Sequence, residues 1–181
     1  MKICNKQNEM KKVLISFLLI FVIAMETEAQ QDTTANTKVG QKAPSFTCKT
    51  LNGSEYTLDH LKGKVVMINF FATWCPGCNL ELPELEKEIW NKYRNNPDFV
   101  LLVIGREHTE KELKEFAATK SLDLPFVADP GREIYKLYAS KYIPRNIVIN
   151  RNGEIIFQNS GFTAKELSDI ESLIGQNLKK Q

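Results

Sequence analysis

Val65-Val66-Met67-Ile68-Asn69-Phe70-Phe71-Ala72-Thr73-Trp74-Cys75-Pro76-Gly77-Cys78 is the stretch from which the fold follows. Its first seven residues are apolar except Asn69. A continuous run of β-branched and aromatic residues reads as a central strand covered on both faces. Pro76 suits the first turn of a helix, where its missing N–H costs nothing. Beyond it Leu82, Leu85, Ile89 and Tyr93 recur at helical spacing, and Pro83 inside that pattern predicts a kink. The two cysteines therefore stand where a buried strand turns into a helix. Free N–H groups and the positive dipole end at that corner stabilise a thiolate on Cys75, the species that attacks a disulfide. Cys78, one turn further along the same face, is placed to attack the mixed disulfide and release the product.

Other uses of the pair fit less well. A structural zinc site needs four ligands, and the sequence has no second cysteine pair, so no metal is expected. Haem attachment requires a histidine directly after the second cysteine, where Asn79 stands. A purely structural disulfide closing so short a loop staples little, because stabilisation grows with loop length. The redox pair itself is then the whole chemical apparatus, with no further cofactor.

Working outward, Phe99–Ile104 is a second buried strand. Thr109 opens a helix through Lys120, with Glu112 completing a capping box and Leu113, Phe116 and Ala117 facing inward. Phe126–Ala128 is a short extended piece and Arg132–Tyr138 a short helix. Ile147–Ile149 and Glu154–Gln158 pair around Arg151-Asn152-Gly153, and Thr163–Ile174 is a closing amphipathic helix. Upstream, Phe46–Thr50 and Ser54–Thr57 form a hairpin around Asn52-Gly53, followed by a helical turn from Thr57 to Leu61 that Gly63 ends. The order βαβαββα makes this an α/β protein: a central mixed sheet flanked by helices on both faces, with an N-terminal β-hairpin extension. One domain, residues 39–181, is expected, with no internal repeat. Residues 30–38 are polar and aperiodic, which reads as a disordered lead-in.

Ahead of that lie Lys11 and Lys12, an apolar run from Val13 to Met25, and Thr27-Glu28-Ala29. This is the pattern of a signal peptide over residues 1–29, with Met10 an alternative start. The run is shorter than the roughly 20 residues that span a bilayer, although an uncleaved membrane anchor stays open. The chain of 181 residues is 43% apolar and 25% charged, with a net charge of +2 and no basic stripe, so a nucleic-acid partner is not expected. Export implies an oxidising compartment, where cysteines usually form structural disulfides. Without Cys4, which precedes the apolar run, three remain, and an odd number is not a scaffold. Cys48 is read as a small buried side chain on the face of Phe46, with a regulatory thiol as the alternative. His60 and His108 lie in polar stretches and are read as surface residues.

Gly40-Gln41-Lys42-Ala43-Pro44-Ser45-Phe46, the stretch Gly63 to Cys78, Glu81-Leu82-Pro83 and Ile143-Pro144 together carry a resemblance. Over Val39 to Ile174 the chain resembles the TlpA/ResA-type thioredoxin-like proteins, exported thiol–disulfide oxidoreductases of bacteria. The resemblance implies a thioredoxin-like fold and a monomeric periplasmic enzyme. Its partners would be exported protein disulfides, apocytochrome c in cytochrome c maturation among them, and a membrane electron-donor protein. Pro144 matches the family's cis-proline, which faces the cysteines and shapes a substrate groove. Ile143 would offer its backbone to an extended substrate. Trp74, Pro76 and Gly77 would complete the substrate-facing surface, with Trp74 shielding the disulfide. Glu81 matches an acidic residue of some members that takes the proton of the second cysteine; read from the bare sequence, it is a solvated helix residue.

Two departures follow. The buried aspartate of thioredoxins, six residues before the first cysteine, is Asn69 here, so acid–base duty would fall to Glu81 or to water. Arg145 follows Pro144 where small residues are common and is expected to place a charge beside the groove. The absence of a histidine between the cysteines favours a reductase over an oxidant. A peroxiredoxin-like peroxidase would need a threonine where Ala72 stands. A non-enzymatic binding module remains a third reading.

Overall fold

In the computed structural model, strand β1 (Thr47–Lys49) pairs antiparallel with β2 (Glu55–Thr57), and a 3-10 turn follows at Leu58–Leu61. The remaining strands are β3 (Val65–Phe71), β4 (Phe99–Arg106), β5 (Phe126–Asp129), β6 (Arg145–Ile149) and β7 (Ile155–Ser160). They form one sheet in the order β5-β4-β3-β6-β7. β3, β4 and β5 run parallel, while β6 and β7 are antiparallel to their neighbours. The main helices are α1 (Pro76–Leu85), α2 (Glu110–Lys120), α3 (Tyr135–Tyr138) and α4 (Ala164–Lys179). This is the expected thioredoxin fold, with the extra hairpin in front.

The structure describes residues 32–179, of which Thr33 onward belongs to one compact unit. The export segment read over residues 1–29 lies outside the described residues. Within them no helix is long and apolar enough to cross a membrane.

Side chains alternate across a strand, so each strand feeds two layers. Met67 and Phe71 of β3 join α1 and α4 in one core, with Cys78, Leu82, Leu85, Leu167, Ile170 and Ile174. Val66, Ile68 and Phe70 join the other core, under the hairpin and α3, with Phe46, Cys48, Tyr135 and Tyr138. Asn69 has the parity of Met67 and Phe71, which turns its amide toward α1. In β6 the same rule sends Asn146 toward α1 and its neighbour Arg145 toward α3.

Four expectations change in detail. Residues 34–37, read as disordered, are held: Asn36 N–H donates to Tyr138 O at 2.8 Å and Ser140 N–H to Thr34 O at 2.9 Å, closing a bridge between Ala35 and Ala139. Thr37 also exchanges side-chain hydrogen bonds with Gln158. A polar segment can be ordered when a neighbouring strand end supplies its backbone partners. β6 begins at Arg145, because tertiary pairing with β3 overrides the polar character of Arg145-Asn146. α4 runs to Lys179, beyond Ile174. Past Pro83 the α-helical ladder gives way to a π turn at Glu86–Trp90.

Candidate active site

Cys75 is the N-cap of α1 and Pro76 the first helical residue. Cys75 and Cys78 form a disulfide with their Cα atoms 5.3 Å apart. Cys75 keeps a narrow edge at 5% exposure, whereas Cys78 is sealed inside the core under β3. The Cys78 N–H points at Cys75 Sγ, 3.2 Å away. That contact and the helix N-terminus favour negative charge on Cys75 once the disulfide is reduced.

The peptide bond between Ile143 and Pro144 is cis. Ile143 O lies 3.8 Å from Cys75 Sγ. A Cβ placed on Gly77 would stand 3.4 Å from Pro144 Cδ, so this glycine lets the proline loop close onto the helix start. Trp74 is 60% exposed, its ring against the Arg106 guanidinium at 5.6 Å. Ile143, Pro144, Trp74, Pro76 and Gly77 thus occupy one end of the sheet with the disulfide.

Glu81 is not a solvated helix residue. It is fully buried, one turn beyond Cys78. Asn69 Nδ2 donates to its Oε2 at 2.8 Å and Asn146 Nδ2 donates to its Oε1 at 2.5 Å. Asn69 Nδ2 also donates to Asn146 Oδ1 at 2.8 Å, closing a ring of three side chains. Burial pushes the Glu81 carboxyl up to about 7, and the two amide donors oppose that rise. A carboxyl so poised can hold or release a proton near neutral pH.

Arg145 does not lie beside the groove. Its side chain is 1% exposed, and Nη2 donates to Thr34 Oγ1 at 2.9 Å and to Lys141 O at 3.1 Å. It ties down the segment ahead of the domain. His108 is not a surface residue either: it is buried, and its Nε2 accepts the Thr73 N–H at 3.0 Å. His60 is exposed, as expected. Cys48 is buried in the opposite core with Phe46, and burial pushes its thiol up to about 11. Among the described residues no group of His, Cys, Asp and Glu could hold a metal ion.

Residues 38–174 match the model of the Redoxin family. The chain belongs to the redoxins, in the ResA/TlpA thiol–disulfide interchange group. This redoxin is 31% identical over 129 residues to the thiol-disulfide oxidoreductase ResA of Bacillus thuringiensis subsp. konkukian, covering 71% of the chain and 73% of the relative. Among solved structures it is similar to a candidate protein disulfide isomerase of Bacteroides thetaiotaomicron, with a TM-score of 0.77 and 35% identity over 81% of this chain and 94% of that one. It is also similar to a candidate thiol:disulfide interchange protein DsbE of Chlorobium tepidum, with a TM-score of 0.69 and 26% identity over 79% and 99% of the two chains. The redoxin's Cys75–Cys78 disulfide is its redox centre, and the protein is an oxidoreductase of the thiol–disulfide type.

Proposed function

We propose that this redoxin is an exported, monomeric reductase of protein disulfides. The observation that carries the reading is the unequal exposure of the two sulfurs: Cys75 has an open edge at a helix start and Cys78 has none. In the reduced enzyme the Cys75 thiolate attacks one sulfur of a substrate disulfide. That S–S bond breaks, a mixed disulfide forms, and the departing thiolate takes a proton from water. Cys78 then gives its proton to the Glu81 carboxylate and attacks Cys75 Sγ. The second substrate sulfur leaves as a thiolate and takes up a proton from water while Glu81 returns its own to solvent, and the Cys75–Cys78 disulfide re-forms, having supplied two electrons. Asn69 has no proton to exchange at neutral pH, which supports assigning the acid–base step to Glu81. Reverse exchange with a membrane dithiol donor recharges the pair.

The substrate enters as an extended chain against Ile143 and Pro144, with Trp74, Pro76 and Gly77 on the other side. The apolar spacer Pro76-Gly77 offers no cation to favour the reduced thiolate, which supports the reducing direction. A relative is named ResA and a structural neighbour DsbE. Apocytochrome c, whose cysteines must be free before haem attaches, is the substrate to test first. The Val13–Met25 run is the export signal in this reading.

The decisive experiment measures the reduction potential and traps partners with Cys78→Ala. A potential near thioredoxin's value of about −270 mV, with exported proteins captured on Cys75, is expected. A potential near DsbA's value of about −120 mV would reverse the direction.

A further inference from the structure

Three residues, Ala72, Thr73 and Trp74, carry the chain from the end of β3 to Cys75. Thr73 and Trp74 are gripped by the end of β4 and the corner that follows it. The Thr73 N–H donates to His108 Nε2 at 3.0 Å. On the other side Asn79 Nδ2 donates to Thr73 O and to Cys75 O, each at 2.9 Å. The Trp74 ring rests on the Arg106 guanidinium, which also lies 4.8 Å from the Tyr135 ring centroid. Glu107, in the left-handed region at φ 68°, pairs with Arg106 at 3.4 Å and with Arg132 at 3.6 Å. Arg106 and His108 thus converge on the two residues that precede the nucleophile, with Glu107 between them holding Arg106.

The placement of Cys75 at the helix N-cap depends on where this segment ends. Its thiolate is stabilised by the Cys78 N–H and the helix start, and both contacts are lost if the segment slips. We infer that His108 is a positioning residue of this oxidoreductase, fixing the Cys75 N-cap through the Thr73 peptide. The inference rests on the reading of Cys75 as the attacking thiolate.

The hydrogen bond also sets the state of the ring. A backbone N–H can donate to Nε2 only if that nitrogen carries a lone pair, so the ring proton sits on Nδ1. Nδ1 is buried without a hydrogen-bond partner among the described residues. Two carboxylates face the ring: Glu112 of α2, whose Oε2 is 3.9 Å from Nδ1, and Glu107 on the same corner. From β3 the ring meets Phe71, which carries no charge. Burial outweighs the two carboxylates and holds the imidazole below its ordinary range, in the neutral form that Thr73 requires.

The test compares wild type, His108→Leu and His108→Gln in the full chain. Leucine removes the acceptor, whereas glutamine keeps an acceptor that does not titrate. Three readouts are taken: the pH midpoint of Cys75 alkylation by iodoacetamide, the dithiol/disulfide equilibrium against glutathione, and kcat and KM for insulin reduction. His108→Leu should lower the thiolate fraction at pH 7 about threefold, moving the equilibrium by about 14 mV at 29.6 mV per tenfold. It should lower kcat more than it raises KM. His108→Gln should restore the midpoint and the equilibrium.

Wild-type values in His108→Leu, beside a drop in unfolding midpoint alone, would overturn the inference and leave His108 a packing residue. If His108→Leu does not fold, the alkylation curves of wild type and His108→Gln on the acid side of neutrality decide. The alkylation curve of wild type should diverge from that of His108→Gln at the pH where an NMR titration of the His108 ring shows it protonating and releasing Thr73; curves that stay superimposed through that protonation refute positioning. Absence of insulin turnover in wild type itself would instead sink the functional reading, independently of any His108 variant.

Discussion

Glu81→Gln isolates the energetic cost of a carboxylate in the layer between β3 and α1. Burial lifts this carboxyl from an ordinary 4.5 to about 7. A raised carboxyl binds its proton more tightly in the folded chain than in the unfolded one. Stability is therefore greatest below about pH 4.5 and falls as pH rises toward 7. At about 1.4 kcal/mol per pH unit, that interval amounts to roughly 3 kcal/mol.

Glutamine removes the charge and keeps the length, but it sets an NH2 group against a donor amide of Asn69 or Asn146. That mismatch costs about 1–3 kcal/mol at every pH. The informative quantity is therefore the pH dependence of the difference between the two proteins. Urea unfolding of the oxidised forms at pH 4 and pH 8 keeps Cys75 and Cys78 from titrating. Groups common to both proteins cancel. The stability of Glu81→Gln relative to wild type should rise by about 3 kcal/mol between the two pH values. A difference that stays flat would refute the reasoning, because the carboxylate would then be as well solvated in the fold as outside it.

Under reducing conditions iodoacetamide should label Cys75 and spare Cys78, and mass mapping after brief exposure checks this; equal labelling would remove the unequal roles. Cys48 should not react with a disulfide reagent at pH 8 until denaturant is added, since its thiol is pushed up to about 11. Gly105→Ala puts a Cβ 2.6 Å from Leu113 Cδ2 and should cost about 1–3 kcal/mol in thermal or urea unfolding. Arg145→Met should expose residues 33–38 to limited proteolysis while leaving the relative rates on acidic and basic peptide disulfides unchanged.

The strand-to-helix corner at Cys75 was legible because three local signals coincide there: an unbroken apolar run, a proline at the helix start and a cysteine spacing of one turn. Capping at Thr109 was legible for the same reason, since both partners lie within one turn. What escaped depends on contacts between distant segments. Glu81 is an acidic residue on a helix, and nothing local separates a buried one from a solvated one. Its partners Asn69 and Asn146 come from two other strands. A parity count would have helped at Asn146, which lies two residues before the core residue Val148 and so points to the same face. Arg145 sits at the polar start of β6, so its side is set by alternation along the strand and not by its closeness to Pro144. His108 had no period to betray it; its burial comes from the fold of the corner after β4. The lead-in looked disordered because its hydrogen-bond partners, Tyr138 and Ser140, lie a hundred residues away.

Cys48 lies in the core on the far side of the sheet from Cys75 and Cys78. The described residues hold three cysteines, and an oxidant acting on the unfolded chain could join any two of them. Once β3 is laid down between the layers, a crossed link from Cys48 would have to pass through the sheet, which the short reach of a disulfide does not allow. Mispaired chains are thus barred from completing the native fold. The sheet proofreads the pairing, so that the redox centre of this oxidoreductase closes between Cys75 and Cys78 and leaves Cys48 out.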